Sequence, residues 1–257
     1  MGKTILITGA TDGIGLETAR RMARDGHTLL LHGRSQAKLD PVVAETGGTG
    51  LLADLSRLEE VAKLAREVTA TTGRLDVLIN NAGVLKTPQS KAAGGLDVRF
   101  VVNLLAPMAL TARLLPLIPK DGRIVNLSSA AQAPVGLAAM RGERQLGDME
   151  AYSQSKLAIT MWSMELAEAL SAGPVVIPVN PGSLLASKMV REGFGVSGSD
   201  IGIGADILIS AATAPEFASA SGRYFDNDAG QFGTPHPDAL DRDKRREVVA
   251  AAEALLD

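Results

Sequence analysis

The 257-residue chain sets 26 Lys and Arg against 29 Asp and Glu, a net charge of -3, so it has no basic field to collect nucleic acid or anionic lipid. It has no cysteine, which excludes disulfides, thiolate nucleophiles and cysteine-ligated metals, and its three histidines, His27, His32 and His236, do not cluster, so no metal is expected. With 46% hydrophobic residues the chain can bury a full core, and one domain over residues 1–257 is expected.

The N-terminus runs from Met1-Gly2-Lys3 straight into Thr4-Ile5-Leu6-Ile7, without the separate apolar region and cleavage site of a signal peptide. Leu6 stands where myristoylation wants Ser or Thr. The most apolar stretch, Leu104 to Ile118, is broken by Arg113 and two prolines, short of the ~18 uninterrupted residues of a membrane span. A cytoplasmic protein without a membrane partner is expected.

Short β-branched runs alternate with longer amphipathic stretches, the pattern of repeated βαβ units. In chain order the expected strands are Lys3–Thr8, Thr28–His32, Gly50–Ala53, Val77–Asn80, Arg123–Leu127, Val175–Val179 and Gly222–Phe225. Several are apolar on both faces, as strands covered by helices on both sides must be. The fold class that follows is α/β, a doubly wound parallel sheet of about seven strands. Ser56 followed by Glu59 reads as a capping box opening a helix through Val68, with Gly73 as a stop near its end. Residues 130–150, as an insertion, and the glycine-rich stretch within 183–205, as a substrate lid, resist the pattern and read as mobile loops beside a site.

The first strand enters Thr8-Gly9-Ala10-Thr11-Asp12-Gly13-Ile14-Gly15, and a helix follows. Three glycines at a strand-to-helix turn let the backbone approach a pyrophosphate that faces the helix N-terminus. Gly9, Thr11, Asp12, Gly13, Ile14 and Gly15 are therefore cofactor candidates. The end of the second strand reads His32-Gly33-Arg34-Ser35, without the carboxylate that would select NAD. Arg34 can pair with a 2′-phosphate and Ser35 lies beside it, so NADP(H) is the expected cofactor.

Tyr152 and Lys156 lie four apart in a helical run that continues to Leu170, so both can point into one cleft. An adjacent ammonium stabilises phenolate, lowers the tyrosine pKa and makes proton exchange with an alcohol feasible. The strand Arg123–Leu127 ends in Ser128-Ser129, where Ser129 can donate to a substrate oxygen and Ser128 reads as a turn residue. Asn103 lies in the helical stretch Asp97–Leu115, and Pro107 four residues later removes the amide that would bond its carbonyl.

In order and spacing, the Thr8–Gly15 loop, Asp54, Asn80-Asn81-Ala82-Gly83, Asn103, Ser129, Tyr152/Lys156 and Asn180-Pro181-Gly182 resemble the short-chain dehydrogenase/reductase family over residues 4–182. The resemblance implies a Rossmann-type fold and a small carbonyl or alcohol substrate. It also implies an adenine contact from Asp54 and Leu55, support for the cofactor from Asn81, Ala82 and Gly83, and nicotinamide placement by Pro181, Gly182 and Ser187. Ser187 departs from the family's usual spacing. Asn103's main chain would hold a water linked to Lys156. Pairing of the helices at 97–115 and 152–170 into a homodimer or homotetramer is expected from the family, although the insertion before the second can block that surface. The spacing from Ser129 to Tyr152 is similar to that of the retinol dehydrogenase and ketoreductase branch. The alternative to an enzyme is a non-catalytic NADP-binding regulator on the same fold.

Overall fold

The computed structural model describes residues 2–186 and 197–256. Its elements alternate from the N-terminus: β1 (Thr4–Ile7), α1 (Gly13–Arg24), β2 (Thr28–Gly33), α2 (Gln36–Thr46), β3 (Thr49–Leu52), α3 (Leu58–Thr71) and β4 (Val77–Asn80). The long helix α4 (Val98–Leu117) follows, then β5 (Arg123–Leu127), α5 (Leu137–Met140), α6 (Asp148–Ala169) and β6 (Val175–Asn180). The chain closes with α7 (Gly202–Thr213), β7 (Phe225–Asp226), β8 (Gln231–Phe232), α8 (Pro237–Leu240) and α9 (Arg242–Glu253).

The strands form one sheet in the order β3-β2-β1-β4-β5-β6-β7-β8, parallel throughout except for β8. The eighth strand was not expected, because two residues are too short for any periodicity to register. Alternation along each strand divides the core. Ile5, Ile7, Leu29, Leu31 and Val125 pack under α1, α2 and α7, whereas Leu6, Leu30, Leu78 and Ile124 pack under α3 and α4. Each full side-chain burial of this kind contributes about 1.5–3 kcal/mol. Because β1 sits between β2 and β4, the chain turns to opposite sides there, and a crevice opens beyond the carboxyl ends of these strands.

Four local expectations are corrected. Ser56 does not cap α3, since Arg57 holds that position; instead Ser56 donates its N–H and hydroxyl to Asp54 Oδ1, at 2.9 and 2.8 Å. The insertion 130–150 is not a bare loop: it contains α5, buries Met140 and Leu146, and is tied down where Asp148 accepts from the buried Arg99 at 2.5 Å. Asp148 also starts α6 a turn before Tyr152. Within the expected lid, residues 202–204 form the first turn of α7, and Leu185 pairs with Ser199; residues 187–196 lie outside the described ones. Finally, the turn of α4 carrying Asn103, Val101–Leu105, is π-helical, with Ala106 N–H bonding the Val101 carbonyl. Pro107 therefore follows a widened turn.

Val98–Leu117 is long and apolar enough to cross a membrane by composition, but 72% of its apolar window is buried, as in a core helix. On the far side of α6 lies α9. Val248, Val249 and Ala252 join Leu157, Met161 and Trp162 in one apolar cluster, and Arg245 pairs with Glu165 and Glu168 at 2.7 and 2.6 Å. This chain thus lays its own C-terminal helix on a helix that the family resemblance pairs across subunits.

Candidate active site

The glycine loop leaves β1 through Gly9 at φ +68°, a left-handed conformation that a side chain would strain. A Cβ at Gly9 would also stand 3.0 Å from the Ala82 backbone, so β1 and the segment after β4 meet here without room for one. Asn81 holds that contact by donating to the Thr8 and Gly9 carbonyls at 2.8 and 3.1 Å, and Ala82 N–H bonds Thr8 Oγ1 at 3.0 Å. Gly83 follows, half-buried. Asp12 caps α1 by accepting from Gly13 N–H at 2.9 Å, and its other oxygen pairs with Lys38 at 3.1 Å. Its carboxylate is therefore engaged within the protein. Thr11 and Ile14 stand half-buried around the turn, and Gly15 is buried against Asn81.

At the end of β2, Arg34 is exposed and has no hydrogen bond or ion pair among the described residues. Ser35 occupies the N-cap of α2, yet its hydroxyl makes no capping bond. Asp54 Oδ1 is committed to Ser56, while Leu55 buries its side chain in the core, which leaves only its peptide for a cofactor contact.

Beyond β5 the four expected catalytic positions converge. Ser129 Oγ accepts from Ala131 N–H at 3.1 Å, and its hydroxyl faces the Tyr152 phenol closely enough to oppose the rise in its pKa. Lys156, one helical turn past Tyr152, is 4% exposed and donates to the Leu127 carbonyl at 2.7 Å. Asn103 is fully engaged through its side chain. It accepts from Val84 N–H at 2.8 Å and donates to the Val84 carbonyl at 3.0 Å and to Ser155 Oγ at 2.9 Å. Ser155 in turn bonds the Tyr152 carbonyl at 2.7 Å, so Asn103 steadies the first turns of α6. Ser128 is not a turn residue: it is buried and shares a 2.6 Å hydrogen bond with Thr160.

Burial dominates the electrostatics. It lowers the Lys156 pKa to about 8, with no carboxylate opposing it. The expected depression of Tyr152 is not seen. Burial pushes the phenol up, opposed by the Ser129 hydroxyl, while the Lys156 ammonium turns toward Leu127.

Several supporting residues had no local signal in the sequence. Tyr224 Oη and Gln132 Nε2 both donate to the Ser129 carbonyl, at 3.2 and 2.9 Å, which fixes that serine from behind. Asn180 donates to Asp226 and Asp228, both at 2.9 Å, and Asp228 accepts from Ser183 N–H at 2.7 Å. Burial pushes Asp228 up, but bonds from Ser183 and Asn180 outweigh it and hold the carboxyl below its usual range. The β7–β8 turn thereby anchors Pro181 and Gly182, the latter at φ +118°. Ser187 lies outside the described residues.

A buried ammonium that among the described residues donates only to a carbonyl has donors left for a ribose diol, and a helix N-terminus on a glycine turn suits a pyrophosphate. The residues present therefore fit a nicotinamide dinucleotide, and the fold and site together define an oxidoreductase of that class. Similarity agrees. The short chain dehydrogenase family model matches residues 3–194. Human retinol dehydrogenase 13 is 30% identical over 284 residues, covering 99% of this chain and 85% of that protein. An uncharacterised protein from Mycobacterium paratuberculosis superposes with a TM-score of 0.82 at 28% identity, over 99% of this chain and 93% of its own. A short-chain dehydrogenase from Escherichia coli CFT073, solved with NADPH, gives 0.69 at 29% identity, over 88% and 96%. The chain belongs to the short-chain dehydrogenase/reductase family, in its retinol dehydrogenase-like branch.

Proposed function

We propose that the protein is an NADP-dependent reductase of ketones or aldehydes, able to run in reverse on the corresponding alcohols. The observation that carries this reading is the convergence of Ser129, the buried Tyr152 and the buried Lys156, whose ammonium stands 5.6 Å from the Tyr152 ring. Bound NADPH supplies the hydride that adds to the carbonyl carbon. Ser129 takes its Oγ hydrogen bond from Ala131, which leaves its own proton to orient the substrate oxygen. Tyr152 donates the proton that this oxygen needs. Lys156 holds the nicotinamide ribose, and its charge then eases formation of the phenolate. By family resemblance, a water on the main chain of Asn103 returns a proton toward Lys156.

Gly9, Thr11, Gly13, Ile14 and Gly15 form the pyrophosphate turn, and Asp54 with the Leu55 peptide meets the adenine. Asn81, Ala82 and Gly83 brace the cofactor's flank, and Pro181 and Gly182 meet the nicotinamide. Arg34 and the Ser35 hydroxyl, both without a partner among the described residues, support a 2′-phosphate, and the E. coli relative crystallised with NADPH is consistent with that choice. The test is a panel of ketones and aldehydes assayed against NADPH and NADH oxidation. Turnover of at least one carbonyl class with NADPH preferred is expected. A protein that binds NADPH and turns over none of the panel would favour the non-catalytic regulator.

A further inference from the structure

His32, the penultimate residue of β2, is 3% exposed and has both nitrogens of its ring engaged. Nδ1 accepts the Gly9 N–H at 3.1 Å, and Nε2 lies 3.0 Å from the Ala53 carbonyl. An acceptor at Nδ1 and a carbonyl at Nε2 require the neutral ring with its proton on Nε2. Burial holds the ring below the usual histidine range, against the pull of the Ala53 carbonyl and the Asp54 charge. The main chain of the same residue takes the next amide of the loop, Ala10 N–H, at 2.9 Å.

These contacts join two ends of one ligand site. Gly9 opens the pyrophosphate turn, and Ala53 immediately precedes Asp54 on the adenine side. By consuming the amides of residues 9 and 10, His32 fixes the direction in which the later loop amides face. β3 is the edge strand of the sheet, so no further strand on its outer side restrains Ala53. We propose that His32 is a positioning residue for the cofactor, a rigid strut that sets the distance between the phosphate turn and the adenine wall. It touches neither substrate nor reacting atoms. The inference rests on the NADP reading above.

Isothermal titration with 2′,5′-ADP and with NADPH separates binding from turnover. Against the parent protein, His32→Leu is expected to weaken both ligands about tenfold or more, since it leaves two amide-type partners unpaired. Turnover at saturating NADPH should stay within about twofold, so that KM for the cofactor moves and kcat does not. His32→Asn retains an acceptor where Nδ1 stood, and His32→Gln retains a donor where Nε2 stood. Asn is expected to recover most of the 2′,5′-ADP affinity and Gln less.

Equal affinity of His32→Leu and parent, or equal losses in all three variants, would overturn the strut. If His32→Leu does not fold, tighter binding by Asn than by Gln supports the proposal and equal binding overturns it. A parent that binds neither ligand overturns the NADP reading, and this inference with it; a parent that binds both isolates the failure to His32.

Discussion

The Lys156 ammonium stands 5.6 Å from the centre of the Tyr152 ring, one turn along the same helix, with both side chains buried. At that separation the ammonium, turned toward the Leu127 carbonyl, does not offset the burial that raises the phenol's pKa. Removing the phenol alone therefore isolates proton transfer. Tyr152→Phe is expected to lower kcat by ~10²–10⁴, the range of a general acid, with NADPH affinity nearly unchanged. Stopped-flow turnover and cofactor titration measure the two separately, and retained turnover would remove Tyr152 from the mechanism.

Lys156 gives a pH dependence with a definite sign. Its pKa is about 8 in the folded protein, below the ordinary lysine value, so the ammonium is lost as pH rises through about 8. NADPH affinity is expected to fall across that point, and Lys156→Arg should remove the inflection because guanidinium stays charged. Without cofactor, the unfolded chain binds the extra proton between about pH 8 and the ordinary lysine pKa, so stability should rise with pH over that window. Denaturant melts at a series of pH values read this directly. A flat profile would show that the amine keeps its proton when buried.

Arg34 has no partner among the described residues, so Arg34→Ala should leave stability unchanged while eroding cofactor preference. A charge-assisted hydrogen bond of ~1.5–3 kcal/mol corresponds to roughly one to two orders of magnitude in the ratio of kcat/KM for NADPH over NADH. A carboxylate at residue 33 would favour NADH further, yet a Cβ there stands 2.5 Å from Thr11 Cγ2. Gly33→Asp with Thr11→Ser, which removes that methyl, is expected to switch preference more cleanly than Gly33→Asp alone. A ratio unmoved by Arg34→Ala would make Arg34 a surface charge.

Asn103→Ala deletes three hydrogen bonds that join the segment after β4 to α6. The expected result is a loss of ~1–3 kcal/mol in stability together with lower kcat, while NADPH still binds. Thermal unfolding and steady-state kinetics on one preparation check both. Normal turnover in a folded variant would dismiss both the relay and the support of α6.

Arg245 is 5% exposed and bridges α9 to Glu165 and Glu168 of α6. Arg245→Met keeps much of the side-chain volume but leaves Glu165 without its closest cation, and a loss of ~2 kcal/mol is expected. The protease sensitivity of α9 should rise along with it, and an unchanged unfolding midpoint would contradict this assignment.

Some of this was legible residue by residue. Alternating aliphatic side chains such as Ile5, Leu6 and Ile7 mark a strand buried on both faces, because a period of two follows from backbone geometry. Tyr152 and Lys156 four apart share a helix face for the same local reason. The glycines of the first turn are readable because only a backbone without Cβ can pass so close to Ala82. Misreadings arose where a local rule met a distant competitor. Ser56 has a good capping sequence, but the Asp54 carboxylate binds it first. Residues 130–150 look loop-like in composition, yet Arg99 and the α9 side of the core give them partners.

The sequence by itself determined the α/β fold class, the glycine turn after the first strand and the placing of Ser129, Tyr152 and Lys156 around one cleft. Each of these rests on spacings of a few residues, set by the geometry of the chain. Only the tertiary structure decided that His32 braces Gly9 against Ala53, that Asp228 anchors the Pro181 loop and that α9 covers α6. It also decided that the Lys156 amine meets a carbonyl. The partners in these contacts lie about twenty to ninety residues apart, and a buried polar atom takes whichever partner the assembled fold brings within reach.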